Sequence, residues 1–286
     1  MKTPELITDP AAWQARCAAD REAGARIALV PTMGFLHEGH LSLLREARRR
    51  AGPGGRAMAS IFVNPTQFGP NEDFSRYPRD IEGDRKKCGS SGVDILFMPE
   101  SKEMYPEKPT VFISVEGVSD ILEGAIRPGH FRGVATVVAK LFHIVKPNKA
   151  FFGQKDFQQC VVIKRMVKGL NMDVEVIVLP TVREKDGLAM SSRNSYLNAD
   201  ERRAAAVLYR ALLAARDLYT AGAKEPEKLK QKMRAVLLTE HGVGIDYVEV
   251  ADGETLAPLD MARGNMILLV AVRLGKTRLI DNLLIP

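Results

Sequence analysis

Residues 26–51 read RIALVPTMGFLHEGHLSLLREARRRA. The opening seven, RIALVPT, form a continuous apolar run of strand length, which predicts a strand buried on both faces. From His37 to Ala51 the pattern changes. Leu41, Leu44 and Ala47 fall on one helical face, and Gly52-Pro53-Gly54-Gly55 ends that helix. Between strand and helix lies the corner Pro31-Thr32-Met33-Gly34-Phe35-Leu36-His37-Glu38-Gly39-His40. Free backbone N–H groups and the positive end of a helix make such a corner an anion site. Gly34 and Gly39 let the backbone approach a ligand closely. His37 and His40 are three apart, so both imidazoles lie on one side of the first helical turn. With no carboxylate or cysteine at zinc-ligand spacing, the pair suits a triphosphate better than a metal. The competing reading is that the two histidines cap and pack locally.

Outward from this corner the alternation continues. Residues 57–63 (AMASIFV), 93–98 (VDILFM), 150–152 and 174–179 (VEVIVL) read as buried strands, and 111–115 as a short alternating one. Residues 80–88, 133–145 and 156–169 read as helices. Buried strands separated by helices predict an α/β fold with a Rossmann-like, doubly wound parallel sheet, whose ligands bind at the carboxyl ends of the strands. The last hundred residues differ. Asn198 with Glu201 forms a capping box that opens a helix through Leu208, Leu212 and Leu218 to near Gly222. A second amphipathic helix covers 226–238, and 245–250, 266–272 and 277–281 read as short, mostly antiparallel strands. The shift predicts a boundary near residues 184–196 and two domains, an α/β domain over 1–184 and a smaller C-terminal α+β domain over 185–286.

Five further segments carry chemistry. In Phe62-Val63-Asn64-Pro65-Thr66-Gln67-Phe68 the side-chain amides of Asn64 and Gln67 follow a strand's carboxyl end, either as polar turn residues or as groups that orient hydroxyls and carboxylates. Tyr77-Pro78-Arg79 follows in a polar loop that can cover the same crevice. Phe152-Gly153-Gln154-Lys155-Asp156-Phe157-Gln158-Gln159 repeats the strand–Gly–helix corner. Lys155 there opposes the helix dipole, a cost that a bound anion offsets. Asp156 is a cap or a ribose acceptor, and Gln159 lies one turn further in. In Ala189-Met190-Ser191-Ser192-Arg193-Asn194-Ser195, small hydroxylic residues beside one arginine suit a phosphate clamp, although serine-rich turns are common. Arg127-Pro128-Gly129-His130-Phe131 is a turn, or a charged loop that reaches a substrate carboxylate.

Composition narrows the class. The 286 residues are 45% hydrophobic and 27% charged, which excludes disorder and fibrous folds and leaves room for one large domain or two. The net charge of +6 admits an anionic partner, but apart from Arg48-Arg49-Arg50 the bases are interleaved with acids. Cys17, Cys88 and Cys160 form no C-x-x-C pair, so buried thiols in a reducing compartment are expected. Met1-Lys2-Thr3-Pro4-Glu5 leads into no apolar stretch of a secretory leader, and no apolar run approaches the roughly 20 residues that span a bilayer. A cytoplasmic protein is expected. P-loop, dinucleotide-fingerprint and nucleophile-elbow motifs are not found.

PTMGFLHEGH, FVNPTQF, YPR, RPGHF, FFGQKDFQQ and MSSRNSYL, in this order across residues 31–197, closely resemble the motifs of the pantothenate synthetase (pantoate–β-alanine ligase) family. The H-x-G-H element also resembles nucleotidyl-transferring relatives of class I aminoacyl-tRNA synthetases. The resemblance implies a two-step reaction. Pantoate attacks the α-phosphorus of Mg-ATP to give pantoyl adenylate and pyrophosphate, and β-alanine then displaces AMP. It implies that ATP is held by Met33, Gly34, Phe35, Leu36, His37, Glu38, Gly39 and His40, with His40 the key catalytic residue and His37 on phosphate. Gly153, Gln154, Lys155, Asp156, Val182, Met190, Ser191, Ser192 and Arg193 complete the ATP site, with Lys155 and Arg193 in catalytic roles. Gln67 and Gln159 bind pantoate, and Gln67 also serves β-alanine. Magnesium accompanies the ATP with no protein ligand assigned, Asp84 being an outer-shell candidate, and a homodimer is implied. One departure is Thr66, where the family often has methionine; it loosens the picture of the pantoate pocket's apolar wall. Three alternatives are another nucleotidyltransferase of the superfamily, an RNA-binding protein, for which no basic stripe or RNP-type aromatic run is found, and a catalytically dead scaffold, against which both histidines, the lysine and the arginine are present.

Overall fold

The computed structural model describes residues 3–286. Met1 and Lys2, the start of the stretch read as carrying no leader, lie outside the described residues. The chain divides into two compact units, Met1–Gly153 with Gln158–Leu179, and Gln154–Phe157 with Pro180–Pro286. Sequence patterning sets the boundary at 184/185 and assigns 154–157 to the first domain.

In the first unit the elements run β1 (Glu5–Ile7), α1 (Pro10–Glu22), β2 (Ile27–Thr32), α2 (Glu38–Ala51), β3 (Arg56–Ile61), α3 (Ile81–Ser90) and β4 (Ile95–Phe97). Two single turns, α4 (Ser101–Met104) and α5 (Glu123–Ile126), precede α6 (His130–Val145), β5 (Lys149–Gly153), α7 (Phe157–Gly169) and β6 (Glu175–Leu179). The six strands form one parallel sheet in the order β1-β4-β3-β2-β5-β6. The order reverses between β2 and β5, the point where sheets of this kind open a ligand crevice beyond their strands' carboxyl ends. Ile27, Leu29 and Val30 of β2 are buried, as a central strand covered on both faces requires. On one face α2 sets Leu44, Ala47 and Ala51 into a core with Ala28, Val30, Ala59 and Phe151. Glu38 in its first turn and Arg48, Arg49 and Arg50 in its last both complement the helix dipole. Elsewhere in this unit, Trp13 of α1 stacks on Phe97 of β4 with ring centroids 4.1 Å apart.

The second unit contains α8 (Ala199–Ala204), α9 (Val207–Thr220), α10 (Pro226–Leu237) and strands β7 (Val243–Asp252), β8 (Met266–Leu274) and β9 (Thr277–Ile285). The strands form an antiparallel sheet, β7-β8-β9, whose Leu268 and Val270 share a core with Leu208, Leu212, Leu229 and Met233 of the helices. The parallel sheet and the small antiparallel one agree with the sequence reading.

Two expectations are corrected. Residues 111–115 form no strand: the Ile113 amide donates to Thr136 Oγ1 (3.0 Å) instead of a ladder, and Val111 is 80% exposed. The single helix expected from Asn198 to Gly222 is two. Its capping box is present, but ψ at Ala205 and Ala206 rises to −25° and −14°, and Leu208 bonds back three residues to Ala205, so the chain tightens into a 3₁₀-type turn. Among the described residues no helix is long and apolar enough to cross a membrane.

Candidate active site

The chain leaves β2 at Thr32, whose hydroxyl donates to Ser60 O (2.9 Å) and accepts from the Gly34 amide (3.2 Å). Gly34 and Phe35 then take positive φ, 84° and 50°. A Cβ on Gly34 would lie 2.9 Å from Ile61 Cγ2 and 3.0 Å from Asp84 Oδ2, so glycine is required here on both counts. Asp84, on α3 and 2% exposed, accepts from the Phe35 and Leu36 amides, both at 2.7 Å, one on each oxygen. Burial pushes its carboxyl up, against the pull of those two amides. Lys87, one turn further along α3, donates to Leu36 O at 2.8 Å. The corner is therefore pinned by α3. Asp84, read from the sequence as an outer-shell candidate for magnesium, thus holds the backbone of the corner, and the two amides it binds are not available to an anion.

His37 caps α2 with an extended backbone (φ −127°), and both imidazoles are half-buried. The His37 amide donates to His40 Nδ1 at 3.3 Å, and the ring centroids are 4.1 Å apart. A neutral ring that accepts at Nδ1 carries its proton on Nε2, so His40 offers an N–H donor from that nitrogen.

Gln67 meets the corner directly, its Nε2 lying 3.2 Å from Met33 Sδ. Its amide orientation follows from the turn around it. Asn64 Oδ1 accepts from the Thr66 amide (3.3 Å), Thr66 Oγ1 (3.0 Å) and Tyr105 Oη (3.1 Å). Asn64 Nδ2 must then donate, to Gly133 O and to Gln67 Oε1 at 3.1 Å. Gln67 consequently turns its N–H donors toward Met33. Thr66, the departure from the family pattern, spends its hydroxyl inside this turn. Gln159 is half-buried on the first turn of α7. Its neighbour Gln158 is structural: it donates to Val118 O and Ile121 O, both at 2.8 Å.

The Arg127–Phe131 motif is not a loose charged loop. Arg127 forms a bidentate pair with Glu72 (2.8 and 2.6 Å) and places its third nitrogen 3.1 Å from His130 Nε2. His130 Nδ1 reaches Gln67 O at 2.8 Å. Desolvation, then the Arg127 charge, pull the His130 pKa down from 6.5 to about 4. As pH falls below 6.5 the unfolded chain takes up this proton before the folded one does, so stability present at pH 7 is lost towards pH 4. At roughly 1.4 kcal/mol per pKa unit, the loss approaches about 3 kcal/mol. Thermal melts at pH 7 and pH 4 check this: His130→Asn should show a smaller acid destabilisation than the parent, and equal slopes would contradict it. Tyr77 is buried edge-on to Phe68, with centroids 6.1 Å apart, while Arg79 is exposed.

A cavity of about 460 Å³ opens on the side of the corner facing β1, β3 and β4, walled by Thr8, Met33, Phe35, Phe62, Arg79 and Met98 among others. Neither imidazole nor Gln67 contributes to its wall.

In the second unit, Asn282 of β9 donates to Gln154 O (3.0 Å) and Lys155 O (2.8 Å), fixing the backbone that carries Lys155. Lys155 Nζ lies 3.4 Å from Asp156. Asp281, buried beside Asn282, is held by both nitrogens of Arg183 at 2.6 and 3.0 Å. Burial raises its carboxyl, and the Arg183 hydrogen bonds oppose that. Val182 O accepts from the Met190 amide at 3.0 Å, so those two predicted ATP residues are neighbours. Ser191 caps the turn Ser192–Tyr196 by accepting from the Arg193 amide at 3.3 Å.

A family model for pantoate-beta-alanine ligase matches residues 5–284. The chain belongs to the pantoate–beta-alanine ligase family. It is 56% identical to pantothenate synthetase of Anaeromyxobacter dehalogenans (strain 2CP-C) over 100% of both chains. Among solved structures it resembles the pantothenate synthetase of Thermus thermophilus (TM-score 0.91, 46% identity, 98% of each chain). It also resembles the Francisella tularensis ligase complexed with beta-gamma ATP and beta-alanine (TM-score 0.79, 34% identity, 98% of this chain and 97% of that one).

Membership of this ligase family agrees with the six motifs and leaves the RNA-binding rival without support. The Arg48-Arg49-Arg50 run is paired with acids: Arg48 pairs with Asp94 at 2.5 Å, and Arg49 and Arg50 pair with Glu46. The cysteines are buried, and desolvation pushes Cys17 and Cys88 up to about 12, far from thiolate chemistry. Sequence reasoning missed the pinning role of Asp84, and it missed Glu72, Arg183 and Asn282 altogether. Each acts across long separations; Glu72, beside the FVNPTQF motif, and Arg183, next to Val182, had a neighbouring signal, and Asn282 had none.

Proposed function

We propose that this chain joins pantoate to β-alanine through a pantoyl adenylate, releasing pyrophosphate and then AMP. The observation that carries this reading is the closure of the 33–40 corner on Gln67, which gathers two imidazoles and an oriented amide donor in one unit. In the first step a pantoate carboxylate oxygen attacks the α-phosphorus and the bond to pyrophosphate breaks. Charge grows on the α-phosphate and the leaving group, where His40 Nε2–H, His37 and the first-turn amides of α2 act as preorganised donors. Lys155 and Arg193 supply cations for phosphate, while Gly153, Gln154, Asp156, Val182, Met190, Ser191 and Ser192 complete the ATP contacts. Gln67 and Gln159 hold pantoate, with the Gln67 N–H donors suited to its oxygens. In the second step the β-alanine amine attacks the acyl carbon, and AMP leaves with the oxygen that came from pantoate.

Magnesium fits as an ion carried by the triphosphate. Among the described residues no cluster of three or more His, Cys, Asp or Glu could hold a metal, and both Asp84 oxygens face amides. When bound it neutralises charge on the phosphate oxygens. A cytoplasmic homodimer remains part of the proposal, supported by the family resemblance.

An assay for AMP with pantoate, β-alanine and Mg-ATP, each omitted in turn, tests the reading. AMP should appear only with all three, and pantoate alone should still drive exchange of pyrophosphate into ATP. ADP as product, or AMP formation indifferent to pantoate, would overturn it.

A further inference from the structure

We propose that His130, held by Arg127 and Glu72, is a positioning residue that sets the Asn64–Gln67 turn so that the Gln67 amide faces pantoate. The inference rests on the reading of Gln67 as a pantoate ligand. Gln67 O only accepts hydrogen bonds, and a guanidinium only donates them. Between these two partners, at 2.8 and 3.1 Å, the imidazole satisfies both in a single form, neutral with its proton on Nδ1. A doubly protonated ring would turn Nε2–H against Arg127, and the opposite tautomer would turn a lone pair against Gln67 O. The pKa pulled down to about 4 agrees with a ring that stays neutral at physiological pH.

The strut is continuous. Glu72 fixes two guanidinium nitrogens of Arg127, the third meets His130, and His130 ends on the main chain of Gln67. A second contact sets the same turn against α6. A Cβ on Gly133 would lie 2.4 Å from Thr66 O and 2.7 Å from Gln67 Cα, so the helix backbone touches the turn directly. Asn64 Nδ2 joins Gly133 O (3.2 Å) to Gln67 Oε1 (3.1 Å). The first turn of α6 thus fixes both the main chain and the side-chain amide of Gln67. This gives the Arg127–His130 motif a role in substrate placement without a contact to substrate.

The test uses the full-length enzyme and four variants: His130→Leu, His130→Asn, Gln67→Ala and the double variant Gln67→Ala/His130→Leu. KM for pantoate, KM for ATP and kcat are measured for each. His130→Leu removes the donor and should raise KM for pantoate at least about 10-fold while KM for ATP changes less than about 2-fold, the size of effect that loss of one oriented hydrogen bond produces. His130→Asn returns an N–H near the Nδ1 position and should recover most of that loss. In the Gln67→Ala background, His130→Leu should add almost nothing, because the two act as one unit. If Gln67→Ala raises KM for pantoate and His130→Leu does not, or raises both KM values alike, the positioning role is wrong while the reading of Gln67 stands. If Gln67→Ala leaves KM for pantoate unchanged, that reading fails and the inference falls with it.

Discussion

His40→Ala lowers pantoate-dependent exchange of pyrophosphate into ATP by about 10²–10³-fold, the usual cost of removing one preorganised donor from a developing anion. The bond that breaks in this step leaves its electrons on pyrophosphate, so a fixed N–H is worth more in the transition state than in the bound substrate. The geometry assigns that donor. The His37 amide occupies Nδ1 of His40, which leaves the proton on Nε2. His40 is half-buried in the first turn of α2, outside the core of that helix, so its truncation opens no core cavity and the melting temperature stays near that of the parent. The loss should appear in kcat more than in KM for ATP, because a transition-state interaction has been removed. Undiminished exchange in this variant would refute the role.

Asp84→Ala costs about 2–6 kcal/mol of stability, from two buried amides at about 1–3 kcal/mol each. The Phe35 and Leu36 N–H groups both end on this one carboxylate, and the corner they belong to holds positive φ at Gly34 and Phe35. Without the carboxylate the corner is left with the Thr32 and Lys87 bonds against that backbone strain, and the imidazoles downstream lose their placement. Activity falls along with stability. Asp84→Asn should fall between, since a carboxamide keeps one acceptor and turns a donor toward the other amide. Urea unfolding of both variants, read beside ATP kinetics, checks the claim. An Asp84→Ala protein with parental stability, whose activity returns on adding magnesium, would hand Asp84 back to the metal.

Periodicity is local, and what is local was legible. RIALVPT, the glycine corner and the α2 face lie within one stretch of sequence, so β2, its corner and the helix could be read together. The partner that pins this corner could not, because Asp84 sits 48–49 residues downstream and only the folded sheet brings α3 beside β2. The same holds for Asn282, 127 residues from Lys155. The Arg127 motif was visible as charge, but its direction was not. Its partner Glu72 lies 55 residues upstream, where no local pattern announces the pair. At 111–115 the alternation was real, but a side-chain oxygen on α6 took the backbone donor. A signal was also passed over: Asp9 before Pro10 is an N-cap with proline in the first turn, and the Ala12 amide does bond to the Asp9 carboxylate at 2.6 Å.

The most direct measurement follows one oxygen atom. Pantoate labelled with ¹⁸O in its carboxylate is turned over with Mg-ATP and β-alanine, and the AMP is weighed by mass spectrometry. An acyl adenylate made at the histidine corner delivers one labelled oxygen to the phosphate of each AMP. Unlabelled AMP, with the second carboxylate oxygen lost to water or carried away on pyrophosphate, would contradict the mechanism.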